Sequence, residues 1–214
     1  MLRAMRRKSH FRLFACVAFL GGAATAQSPP AQMAPEPPAT QTQPSQSQSA
    51  GPAGPASPAE PAPLQWKTYS FPDDGFSASF PSQPATQKQI VPADSATLEL
   101  RNYTVETPSL ALEVGVCDYG DAIHGSDPDA ILAGAKNGAV SNANARLITA
   151  RKIMLGIYPG IAFEAEVDQL HLSARLYLVG TLLYQTFVSR PADQSNADVN
   201  KFLDSFQLIP RPVP

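Results

Sequence analysis

From Trp66 onward, apolar and polar residues alternate in short runs divided by turn residues. Such a period-2 pattern predicts strands. Lys67–Phe71 and Phe76–Phe80 flank Pro72-Asp73-Asp74-Gly75, a strong turn signal. Ala85–Val91 and Thr97–Glu106 read as the next hairpin, and Leu110–Asp118 places Leu110, Leu112, Val114 and Val116 on alternate positions. Four further strands are expected at Arg146–Leu155, Ile161–Asp168, Leu172–Val179 and Leu182–Ser189. Tyr158-Pro159-Gly160 and Gly180-Thr181 are the expected turns between them.

Two segments switch to helical spacing. Asp127 can cap a helix that opens on Pro128, and Asp129 suits its positive end. Its inward side is expected to consist of Ala130, Gly134, Ala135 and Gly138 beside Ile131, small enough for close approach to a sheet. Near the end of the chain, Val199, Phe202, Leu203 and Phe206 recur at i, i+3, i+4 and i+7, one apolar stripe behind a possible Ser195 cap. The fold class predicted is α+β: one antiparallel sheet with two main helices packed on it.

The first 63 residues follow neither pattern. Residues 1–12 carry five basic side chains, and Leu13–Gly22 is a short apolar run. Ala24-Thr25-Ala26 then supplies a small-residue exit, so residues 1–26 read as a cleaved secretory signal. The 14 uncharged residues from Leu13 to Ala26 fall short of the ~20 a membrane-spanning helix needs. Arg6-Arg7 leaves Sec and twin-arginine export both open. The exported form is expected to begin at Gln27, which an intact mass will check. Residues 27–63 hold eleven prolines, no lysine or arginine, and Met33 as their one large apolar side chain. Too little surface can be buried there to offset chain entropy, and a disordered spacer is expected. Residues 64–214 remain as a single domain, expected in the periplasm or secreted.

Removal of the signal leaves 11 Lys+Arg against 18 Asp+Glu, a net charge of −7 with His neutral. An acidic chain without a basic run is a poor nucleic-acid binder. After cleavage no membrane span is expected. Cys117 remains as the one cysteine, so no disulfide can close within the mature chain. It sits on an apolar strand, where a buried thiol is expected.

The chain has no Gly-x-Ser-x-Gly, no phosphate loop ending in Lys-Ser/Thr, and no His-Glu-x-x-His. Asp118, Asp121, His124, Asp127 and Asp129 fall within 12 residues. Asp118, Asp121 and His124 are the metal-ligand candidates, although their spacing matches no standard loop. Glu164 and Glu166 share one strand face. A two-residue turn at Asp168-Gln169 would set Glu166 opposite His171 and Glu164 opposite Ser173, with Arg175 diagonal to it. That arrangement suits either a paired-acid site or ordinary cross-strand pairing. Tyr119, Tyr158, Tyr177 and Tyr184 are candidate surface contacts for a partner.

Four stretches together carry a family resemblance. They are Phe71-Pro-Asp-Asp-Gly-Phe-Ser-Ala-Ser-Phe-Pro, the helix Ile131-Leu-Ala-Gly-Ala-Lys-Asn-Gly-Ala-Val, Gly156-Ile-Tyr-Pro-Gly before Phe163-Glu164, and Phe202-Leu-Asp-Ser-Phe. The chain resembles uncharacterised exported bacterial proteins of the PsbP-like α/β/α sandwich type over roughly residues 66–209. These are packing and turn motifs, and no binding residue carries over with them. The resemblance implies a non-enzymatic accessory or binding role. The expectation is therefore an exported binding or assembly module without a cofactor, with a protein partner in the cell envelope. A carboxylate- or metal-dependent envelope hydrolase and a structural protein on a Pro-rich stalk are the alternatives.

Overall fold

The computed structural model describes residues 64–93, 96–194 and 197–211. The expected signal (1–26), the spacer (27–63) and the Ser195 cap lie outside the described residues. Ten strands and two α-helices follow in the order β1 (Lys67–Phe71), β2 (Phe76–Phe80), β3 (Ala85–Ala93), β4 (Ala96–Glu106), β5 (Ala111–Asp118), α1 (Pro128–Asn142), β6 (Arg146–Leu155), β7 (Tyr158–Val167), β8 (Leu170–Val179), β9 (Leu182–Pro191), α2 (Asp198–Ser205) and β10 (Gln207–Leu208). All strand pairs are antiparallel. The fold is α+β, as the two periodicities predict.

The strands make two sheets where the sequence pattern suggested one. Seven pair in the order β3-β4-β5-β9-β8-β7-β6, and β1-β2-β10 form a separate three-stranded sheet. The first hairpin leaves the main sheet because its aromatic residues need cover on the main sheet's face. Phe76 meets Tyr103 edge-on at 5.1 Å and Tyr184 at 6.3 Å, and it stacks on Phe206 at 5.7 Å. Helix α2 lies beside β2 on this face, against β8 and β9. Helix α1 covers the opposite face over β7 and β8. The result is three layers, with apolar cores on both sides of the central sheet.

Asp127 caps α1 as expected, accepting a hydrogen bond from the Asp129 N–H at 3.1 Å. The buried stripe of α1 differs from the expected one. Ile131, Leu132, Ala135 and Ala139 are buried, Gly134 and Gly138 are half-buried, and Ala130 is exposed. Turning Leu132 inward removes more apolar surface from water than turning two glycines inward, so the larger side chain sets the face. The β6–β7 turn is also displaced. Gly156-Ile157 forms it, with Gly156 at φ +60°, and Tyr158, Pro159 and Gly160 belong to β7. Glycine adopts that left-handed conformation at no steric cost, which gives the tight turn its position. Helix α2 begins at Asp198, without a side-chain cap on Ala197.

The sheet edges are guarded by charge. Leu147, Ile148, Met154 and Ile157, all on β6 or its turn, are exposed. Arg146, Arg151 and Lys152 share this edge, as Lys88 does the β3 edge, and such charges discourage pairing with another chain.

One acid is buried on the α1 side of the central sheet. Glu113 of β5 lies between Thr104 and Phe187 and is 7% exposed. Burial raises its carboxyl from 4.5 to about 8. Between those values the folded protein holds a proton that the unfolded chain has released. The contribution to stability is full below pH 4.5 and is lost as pH rises through 8, at up to about 1.4 kcal/mol per pH unit. Urea midpoints should fall between about pH 5 and pH 8 for the wild type and stay nearly level for Glu113→Gln. Equal pH slopes in the two proteins would refute the buried neutral acid.

Candidate functional site: a polar groove between β6–β8 and α2

Three strands and one helix build a polar site. The Asp168-Gln169 turn sets the β7–β8 register as predicted, with Glu166 opposite His171 and Glu164 opposite Ser173. Asp168 takes φ +53°, a conformation aspartate tolerates better than most residues. On the face away from α1, side chains line up in rows across the sheet. Arg151, Ala162 and Arg175 form one row, Thr149, Glu164 and Ser173 the next, and Arg146, Glu166 and His171 the third. Helix α2 closes one side, and a cavity of about 90 Å³ opens between it and the strands. Thr149, Arg151, Glu164, Arg175, Asn200 and Leu203 line it.

The two carboxylates turn to different partners. Glu166 pairs with Arg146 of β6. Glu164 turns toward β8, where one of its oxygens, Oε2, accepts from the Ser173 hydroxyl at 2.6 Å and meets His171 Nε2 at 2.6 Å. Arg175 reaches α2, bonding Asp204 at 2.6 Å and the Leu203 carbonyl at 3.2 Å. No hydrogen bond or ion pair joins Arg151 to another described residue.

This geometry bears on the candidate chemistries. A serine nucleophile needs a base to take its proton and a third group to orient that base. Here the carboxylate sits in the middle, and the hydroxyl and the imidazole bond the same oxygen instead of each other. A paired-acid mechanism needs two carboxyls facing one point. Glu164 and Glu166 are instead held apart by β8 and β6 partners. Cross-strand pairing accounts for both acids.

The other predicted residues fall elsewhere. Asp118 accepts from the Gly120 N–H at 2.9 Å and the Thr181 hydroxyl at 2.8 Å, tying the end of β5 to the β8–β9 turn. Asp121 and His124 lie in and just after a 3₁₀ turn at Gly120–Ile123, and Asp129 pairs with Lys152 at 2.5 Å. Among the described residues no three His, Cys, Asp or Glu gather into a metal-sized group. Cys117 is buried, and burial pushes its thiol up to about 11, far from a reactive thiolate. Tyr119, Tyr177 and Tyr184 are buried, at 4%, 4% and 1% exposure, and so offer no contact surface, whereas Tyr158, at the start of β7, is half-buried. The buried rings serve packing: Tyr177 stacks on Phe206 at 5.9 Å, and the Tyr184 hydroxyl donates to the Asp74 carbonyl at 2.7 Å.

Sequence reasoning missed Arg151, Thr149 and Asn200 as site residues. The arginine row follows from the register once the turns are placed. Asn200 enters through the docking of α2, which strand periodicity does not report.

No family model matches the chain, and no curated protein does. Among solved structures, the chain is similar to the solution structure of cyanobacterial PsbP from Synechocystis. The identity is 15% and the TM-score 0.47, over 74% of this chain and 99% of that one. It is also similar to a Pseudomonas aeruginosa protein of unknown function described as a putative regulator. There the identity is 14% and the TM-score 0.37, over 59% of this chain and 99% of that one.

Proposed function

We propose that this chain is an exported, non-catalytic binding or assembly module of the cell envelope, and that its contact site is the groove between α2 and β6–β8. The observation that carries the reading is the wiring of Glu164. Ser173 and His171 both bond one oxygen of this carboxylate, which suits a fixed polar wall better than a relay. The cavity beside it is polar and open to a ligand, with Arg151 at its rim. The PsbP-like resemblance of the turn and helix motifs points the same way, toward an accessory role.

Two results test this. A photo-reactive residue at Asn200 should cross-link a partner or ligand in intact cells, and one at Ile90, exposed on the far sheet edge, should not. Ester, peptide and phosphoester substrates should show no turnover above that of Ser173→Ala, with or without divalent cations. Turnover that Ser173→Ala or Glu164→Gln abolishes would establish the hydrolase alternative instead. Failure of both positions to cross-link would favour a passive envelope protein on a stalk.

A further inference from the structure

We propose that the groove binds a small carboxylate bearing a hydroxyl or ammonium donor on the adjacent carbon, the head group of an α-hydroxy or α-amino acid. This inference rests on the groove being a binding site. Its first support is the row Arg151–Ala162–Arg175. Neighbouring strands lie roughly 4.7–4.9 Å apart, and the alanine between the two arginines leaves the space over β7 unfilled. Arg175 has its counter-charge in Asp204 and spends a second donor on the Leu203 carbonyl. Arg151 lines the same cavity with no ion pair to a described residue. A planar guanidinium with free donors matches a carboxylate, which it can grip through two parallel hydrogen bonds.

The second support is the opposite wall. A bare anion would face Glu164, which also lines the cavity. The Oε2 atom of Glu164 is occupied by His171 and Ser173, and Oε1 has no described donor. A ligand that places its carboxylate on Arg151 and a hydroxyl or ammonium on Glu164 Oε1 turns this repulsion into a second charge-assisted bond. Size sets the third limit. The cavity, at about 90 Å³, is smaller than the ~150 Å³ that admits a benzene ring. Its depth takes a compact head group, and any larger remainder of the ligand stays outside, in the open mouth of the groove.

The test titrates the full chain with acetate, glycolate and glycine, followed by NMR through the Arg151 Nε–H and the Asn200 side-chain amide. Glycolate or glycine should bind at least about tenfold tighter than acetate, the difference one charge-assisted hydrogen bond makes. Arg151→Gln should abolish binding of all three, and Arg151→Lys should retain part of it. Glu164→Gln should erase the preference over acetate. If that variant unfolds, Thr149→Leu replaces it, filling the cavity without changing its charge, and should block all three probes. Equal affinities for the three probes, or shifts that survive Arg151→Gln, overturn the proposal. Cross-linking at Asn200 without binding of any probe overturns the ligand class and leaves the binding-module reading standing. Loss of both fails both.

Discussion

Phe202→Ala is expected to cost about 3–5 kcal/mol, the range for truncating a buried phenylalanine. Phe202 is 1% exposed, and its ring lies 5.2 Å from that of Phe80 in β2. Val199, Leu203 and Phe206 are buried on the same side of the segment. The truncation opens a cavity where α2, the small sheet and the central sheet meet, and none of the three can close it without losing other contacts. A domain typically has 5–15 kcal/mol of stability to lose. Lys201→Ala is the control. Its side chain is exposed, and its ammonium lies 5.0 Å from the centre of the Trp66 ring. A solvent-exposed cation over a ring contributes about 0.5–1 kcal/mol, which bounds the expected loss. Urea denaturation of both variants beside the wild type measures the difference. Equal small losses would mean that α2 is not docked, and the groove it closes would go with it.

The parts of this fold that were legible in the sequence were those set by local chemistry. Asp127-Pro128 opens α1 because an aspartate cap and a proline in the first turn satisfy the same helix end. Asp168-Gln169 fixed the pairing of Glu164 with Ser173, because a two-residue turn leaves one register. The stripe from Val199 to Phe206 is buried as its spacing demanded. What escaped depends on layers. Tyr177 and Tyr184 carry a polar tip on an apolar body, and their place was decided by Phe76 and Phe206 arriving over the sheet from both ends of the domain. The small sheet depends on β10, only Gln207 and Leu208, too short for periodicity to reveal. The groove shares that limit: Glu164 and Arg175 were readable as neighbours, whereas the cavity exists because α2 stands beside them.

Asp74 shows the same limit most sharply, and it supports the second large prediction. An aspartate in a Pro-Asp-Asp-Gly turn reads as solvated, yet Asp74 is 1% exposed. Its Oδ1 lies 2.5 Å from Arg101 Nη2, and its Oδ2 accepts from the Tyr103 hydroxyl. Burial, together with that hydrogen bond to Asp74, pushes the Tyr103 phenol well above its usual range. The turn is thereby clamped onto β4, and the Tyr184 hydroxyl holds the Asp74 carbonyl from β9. Asp74→Ala removes one member of a buried pair. It strands the Tyr103 hydroxyl and leaves Arg101, 27% exposed, with Glu99 at 3.0 Å as its remaining acid. Breaking a buried pair in this way costs about 3–5 kcal/mol, and the surviving Glu99 contact places the expected loss near the lower end. Arg101→Met added to Asp74→Ala should recover part of that loss, because removing both charges leaves neither one buried alone. Guanidinium denaturation of the single and double variants checks both signs. A loss under about 1 kcal/mol for Asp74→Ala, or a double variant weaker than the single one by the full cost of a second lesion, would show that the pair does not hold the first hairpin on the sheet.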